Sequence, residues 1–128
     1  MRIPAKLREE LGEEYFVTVG SGNCLCVYTA SQMEEMKKAL SSVNPYREKE
    51  AKAARFIIYN TWQAEEDKQG RILLPENLRK YAKIEKNVLV FKGINSVEIW
   101  SEEVWNEYFK DVNFSDLADA FDCLKNNG

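Results

Sequence analysis

The sequence predicts a mixed α+β fold made of two related halves, and three observations carry that expectation. The 128-residue chain resembles itself at an offset of about 72. Each copy holds two runs rich in β-branched and aromatic residues, separated by a turn of Gly, Asn and Ser. Each pair of runs is followed by a segment with helical start signals.

Pro4-Ala5-Lys6-Leu7-Arg8 parallels Pro75-Glu76-Asn77-Leu78-Arg79. Each predicts a short helix opening at its proline, whose missing N–H would be unpaired in the first turn anyway. After a one-residue difference in the next turn, residues 16–19 (FVTV) parallel 88–91 (VLVF), and 25–28 (LCVY) parallel 97–100 (VEIW). The turns between these strands are 20–23 and 93–96. Ser31 with Glu34 fits a capping box opening the next helix, and Ser101 is followed by Glu102 and Glu103, which suit the positive end of a helix. Between the copies, residues 45–59 predict a modestly basic helix (Arg47, Lys49, Lys52, Arg55). Its Glu48 and Lys52 can pair, and Ala51, Ala54 and Ile58 form its apolar stripe. Ser115 followed by Leu117, Ala118, Phe121 and Leu124 predicts a last amphipathic helix, packed on the body or on a neighbouring subunit. The chain therefore divides into a first half-repeat (1–44), a connecting helix (45–60), a second half-repeat (61–108) and an acidic helical tail (109–128). Met1 aligns with Ile72, so the first half lacks a counterpart of residues 62–71 and reads as N-terminally shortened.

Composition excludes several classes. Apolar residues make up 45% and charged residues 30%, an ordinary soluble balance. No apolar run is long enough to span a bilayer, and residues 1–4 lack the apolar core of a secretion signal, so the cytoplasm is expected. There is no histidine, which removes most hydrolase schemes and many metal sites. Cys24 and Cys26 sit two apart in an apolar run and read as small buried side chains on one face. No cofactor, metal or catalytic residue is expected. The net charge of −3 is unevenly spread. Residues 68–92 carry seven basic side chains against two acidic ones, whereas 93–128 carry eight acidic against two basic. One face can meet a polyanion while another avoids it.

The segment Asp67-Lys68-Gln69-Gly70-Arg71 has its own physical logic. Gly70 permits a positive φ in a tight turn, and Lys68 and Arg71 flank it. Arginine can fork onto a phosphate or a guanine edge, lysine supplies a mobile charge, and Gln69 can read an adenine edge. Asp67 would repel phosphate, so its role is structural: bonding N–H groups of the turn or orienting Arg71. The same residues would also make an ordinary hairpin turn. Arg79 is a further candidate contact, with bracing of its helix as the alternative.

Asp67 through Pro75 resembles the DxxxR signature of the MraZ family. Leu78-Arg79 through 97–100 continues the likeness, and residues 3–12 resemble the family's first repeat just past its own motif. Family members carry the motif in both halves; here it occurs once. The resemblance implies a pseudo-two-fold double SpoVT/AbrB-like swapped-hairpin β-barrel with flanking helices. It also implies a nucleoid-associated, ring-forming homo-oligomer that binds double-stranded DNA at direct repeats in a promoter of the division and cell-wall gene cluster. DNA contact then falls to Lys68, Gln69, Arg71 and Arg79, with Asp67 and Gly70 shaping the turn. Two rivals come from other classes. A catalytic reading would pair Glu65 and Asp67 on one strand face, yet no nucleophile or cofactor loop accompanies them. An AbrB-like protein-interaction module would use Trp62, Trp100 and Trp105 as anchors.

Overall fold

Alternating valines, threonines and tyrosines favour extended chain. In the computed structural model, which describes residues 1–127, Tyr15–Val19 (β1) and Leu25–Thr29 (β2) form an antiparallel hairpin. Trp62–Gln63 (β3) pairs with the outer edge of β1. Val88–Lys92 (β4) and Val97–Ser101 (β5) form the second hairpin, and β2 pairs with β5 to join the two. The result is one five-stranded antiparallel sheet, β3-β1-β2-β5-β4. Six helices are described around it: Ala5–Leu11 (α1), Ala30–Ser41 (α2), Glu48–Tyr59 (α3), Glu76–Tyr81 (α4), Glu102–Phe109 (α5) and Phe114–Asn127 (α6). None is long and apolar enough to cross a membrane.

The central ladder carries the repeat as symmetry. Leu25 faces Ile99, Cys26 faces Glu98 and Val27 faces Val97. At an offset of 72, Leu25 corresponds to Val97 and Val27 to Ile99, so a local two-fold axis passes between Cys26 and its own equivalent, Glu98. The outer strands depart from the sequence alignment. Val17 faces Val27, and Val90 faces Ile99. Val17 therefore corresponds to Val90, one residue beyond the expected Leu89. The link from α4 to β4 is three residues longer than that from α1 to β1, and the second hairpin loop is one residue shorter. One residue of slip exchanges the two faces of a strand, so burial settles the matter. Val17 and Val90 both join the main core, whereas Leu89 packs on the opposite face.

That main core lies between the sheet, α1, α4 and the segments 1–3 and 72–74, and it is built from Ile3, Val17, Leu25, Val27, Ile72, Leu74, Leu78 and Ile99. On the other face Cys24, Cys26 and Trp100 are buried with Phe91 and Trp105 against them. The two cysteine sulfurs converge where a side chain on Gly20 would stand: a Cβ there would lie 2.6 Å from one and 2.8 Å from the other.

Three helices differ from expectation in detail. The cap of α2 is Thr29 rather than Ser31, because β2 runs to Thr29 and turns straight into the helix. The Thr29 hydroxyl accepts from the Gln32 N–H (3.1 Å), and the Gln32 side chain accepts from the Thr29 N–H (2.9 Å). Helix α3 starts at Glu48, three residues after Pro45, since the Asn44 side chain closes a turn there by accepting from the Tyr46 N–H. Its stripe runs through Ala51, Ala54 and Ile57, leaving Ile58 half exposed. Along α6, Phe114, Leu117, Phe121 and Leu124 face solvent instead of the body of the chain.

Candidate nucleic-acid interface

Glycine at position 70 decides the local geometry. Its φ is +76°, in the left-handed region, and a Cβ there would meet nothing within 4 Å. The turn thus needs glycine for its backbone, not for lack of space. Around it the chain closes a hairpin: the Asp67 N–H donates to the Arg71 carbonyl at 2.8 Å, and Glu66 pairs with Ile72.

Asp67 is the clasp of this hairpin. Its Oδ1 accepts from the N–H groups of Gln69 (2.8 Å) and Arg71 (2.9 Å), and its Oδ2 accepts from Arg71 Nε (3.0 Å). One carboxylate thus bonds two N–H groups of the turn and the Arg71 side chain together. These bonds, the Arg71 amide first, hold its pKa below the ordinary carboxylate value. Because Asp67 takes Arg71 by Nε, the terminal nitrogens of the guanidinium are left for another acceptor. Lys68, Gln69 and Arg71 are all exposed on the turn, so the three expected contact residues share one surface.

Arg79 sits elsewhere. Its Nε donates to the Leu74 carbonyl at 3.2 Å, bracing the segment between hairpin and α4. Glu66, the neighbour of the clasp, is bonded through both carboxylate oxygens by Arg8 of α1, which draws its pKa down. With Glu66 tied to Arg8 and Asp67 to Arg71, two of the three acids in 65–67 are engaged in ion pairs. Among the described residues there is no cluster of three or more metal-ligating side chains.

Sequence reasoning missed one residue here. Met1 and Ile72 exchange backbone hydrogen bonds at 2.8 and 2.7 Å, so the first residues of the chain bridge to the hairpin as an extended segment beside it. Arg2 lies directly opposite Arg71, and its Nη2 donates to the Gln69 carbonyl. The equivalence of Met1 with Ile72 was the available signal: two equivalent residues can pair across a local two-fold. A groove of about 720 Å³ is lined by Met1, Val17, residues 62–67 and residues 71–75.

The family model described as "MraZ protein, putative antitoxin-like" matches twice, at residues 1–57 and 57–125. The "Transcriptional regulator MraZ" of Caldanaerobacter subterraneus subsp. tengcongensis is 48% identical over 124 residues, covering 94% of this chain and 85% of the relative. That of Thermoanaerobacter sp. (strain X514) is 48% identical over 126 residues, covering 95% and 87%. A more distant relative of the same name, from Finegoldia magna, is 38% identical over 124 residues, covering 95% and 87%. The chain belongs to the MraZ family.

Proposed function

We propose that this chain is a DNA-binding transcriptional regulator, working as a ring-shaped homo-oligomer on direct repeats in a promoter of the division and cell-wall gene cluster. The observation that carries the reading is the hairpin clasped by Asp67, with Lys68, Gln69 and Arg71 exposed around Gly70. Lysine and the free end of Arg71 neutralise phosphates, glutamine can read a base edge, and the carboxylate that would oppose DNA is used up inside the turn. Arg79 adds a backbone contact at the foot of the hairpin. Such a role needs no catalytic group, cofactor or membrane, and it places the protein in the cytoplasm at the nucleoid.

Pairing of residues 1–2 with 71–72 from the other half, together with the β2–β5 ladder, supports a pseudo-two-fold swapped-hairpin barrel with half-repeats at 1–44 and 61–108, a connecting helix at 45–60 and a tail at 109–128. Oligomerisation is part of the mechanism. Each phosphate contact contributes a slope of only about 0.9 in log K against log salt, so one hairpin binds weakly at cellular salt. Several hairpins on spaced repeats gain roughly 10²–10⁴ through effective concentration. The uncovered apolar residues of α6 support self-association.

The test is fluorescence anisotropy on a promoter duplex across a salt series. Arg71→Ala and Lys68→Ala are expected to weaken binding and flatten its salt dependence, with melting temperature and oligomer size unchanged. Parental affinity in both variants would remove the hairpin from the mechanism. A protein-interaction module is the second reading, favoured by the half-exposed Trp62 and the exposed Leu73 at the groove. It requires a discrete protein complex insensitive to Arg71→Ala.

A further inference from the structure

We infer that Arg2 and Arg71, one from each half of the repeat, form a single clamp for a DNA backbone phosphate. The inference rests on the DNA-binding reading above and assigns a part of that surface which the hairpin motif does not contain.

The argument starts from the strand pairing. Because Met1 and Ile72 exchange both backbone bonds, Arg2 and Arg71 are the adjacent non-hydrogen-bonded pair. Side chains of such a pair leave the same face, with Cβ atoms about 4.5–5.5 Å apart. On its other side Arg71 has Asp67 as cross-strand neighbour, through the Asp67 N–H bond to its carbonyl. One row across three bridged segments therefore reads carboxylate, guanidinium, guanidinium. Like charges directly opposite one another destabilise a sheet, and the single carboxylate of the row is spent on Arg71 Nε and two backbone amides.

Each arginine is nevertheless held in place by part of its donor set: Arg71 through Nε to Asp67, Arg2 through Nη2 to the Gln69 carbonyl. A guanidinium has five N–H donors, so both keep donors to spare. Two fixed cations, side by side and under-neutralised, suit an anion with several acceptor oxygens that can bridge them. The position decides which anion. Lys68 and Gln69 stand at the tip of the hairpin, where they would enter a groove. The arginine row lies along its flank, where a groove-bound tip brings the sugar–phosphate backbone.

The experiment measures log K against log salt for the full chain on a promoter duplex and on an unrelated duplex, with Arg2→Ala, Arg2→Lys and Arg71→Ala in parallel. Arg2→Ala is expected to lower the salt slope by about 0.9 for each hairpin engaged, equally on both duplexes. The preference for the promoter, melting temperature and oligomer size should stay the same, and Arg2→Lys should restore the slope. If Arg2→Ala keeps the full slope while Arg71→Ala lowers it, the clamp is wrong and the hairpin reading stands. If Arg2→Ala lowers the melting temperature and Arg2→Lys leaves the slope low, Arg2 is only a prop for Gln69 and the clamp is overturned. If neither Arg71→Ala nor Arg2→Ala changes binding to either duplex, the clamp and the DNA reading fall together.

Discussion

The two halves of this chain share one plan and differ in how well it is covered. In the first half β1 has a strand on each side, β2 within and β3 outside, and Tyr15, Val17 and Val19 are buried. In the second half β4 pairs only with β5; Val88 and Val90, the equivalents of Tyr15 and Val17, are half-buried, and Lys92 stands where Val19 does. The helices run the other way. Leu78 of α4 is fully buried, while its equivalent in α1, Leu7, is partly exposed. A duplicated sequence thus fixes which elements form and how they meet at the axis, whereas the depth to which each copy is buried depends on what lies against it.

The largest expected effect tests the axis. Leu25 and Ile99 face each other across β2 and β5, and both are fully buried. Leu25→Ala and Ile99→Ala should each cost about 2–5 kcal/mol in chemical denaturation, and the double variant should depart from additivity because the side chains share one contact. Strictly additive losses would mean the ladder does not bring them together. A smaller effect tests the unequal cover: Val17→Ala should destabilise by about 1 kcal/mol more than Val90→Ala, since more apolar area leaves water at Val17. Equal losses would erase the difference between the strands.

Alkaline pH sharpens the contrast further, because Tyr15 and Tyr28 belong to the first half, and their equivalents in the second are Val88 and Trp100. Burial raises both phenols from 10.0 to about 12. A raised folded-state value means stability that is complete below the unfolded value and lost as pH climbs through the folded one. Stability should decline between pH 10.0 and about 12, with both phenols ionising near the upper end in a spectrophotometric titration. Ionisation of both at the ordinary value would show that they are not buried as described. The most local effect concerns Gly70→Ala. No neighbour crowds a Cβ there, so only left-handed strain of about 1–2 kcal/mol is expected, read as faster amide exchange confined to the hairpin.

Much of this was legible beforehand. Proline and leucine at matched spacing marked the two short helices, the Gly/Asn/Ser turns marked the hairpins, and Asp67 with Gly70 announced a closed turn. What escaped depended on distant partners. No local signal tells whether Val17 answers to Leu89 or to Val90, because the loop lengths that set register are read only once the strands pair. Ser31 looked like a cap because the end of a strand is invisible where Thr29 serves both elements. Arg2 carries no motif; its place beside Arg71 comes only from the 69-residue separation that the fold closes.

The axis between Cys26 and Glu98 has a consequence of its own. Two separate identical polypeptides joined in this way would set each axial residue against itself, and a glutamate facing a glutamate would push the pair apart. Tethering both copies in one polypeptide lifts that restriction. Glu98 can therefore keep a carboxylate at the centre of the sheet, where it accepts from the Trp100 indole at 2.9 Å, while a thiol occupies the mirror position. Covalent linkage frees the midline to carry unlike chemistry on its two sides.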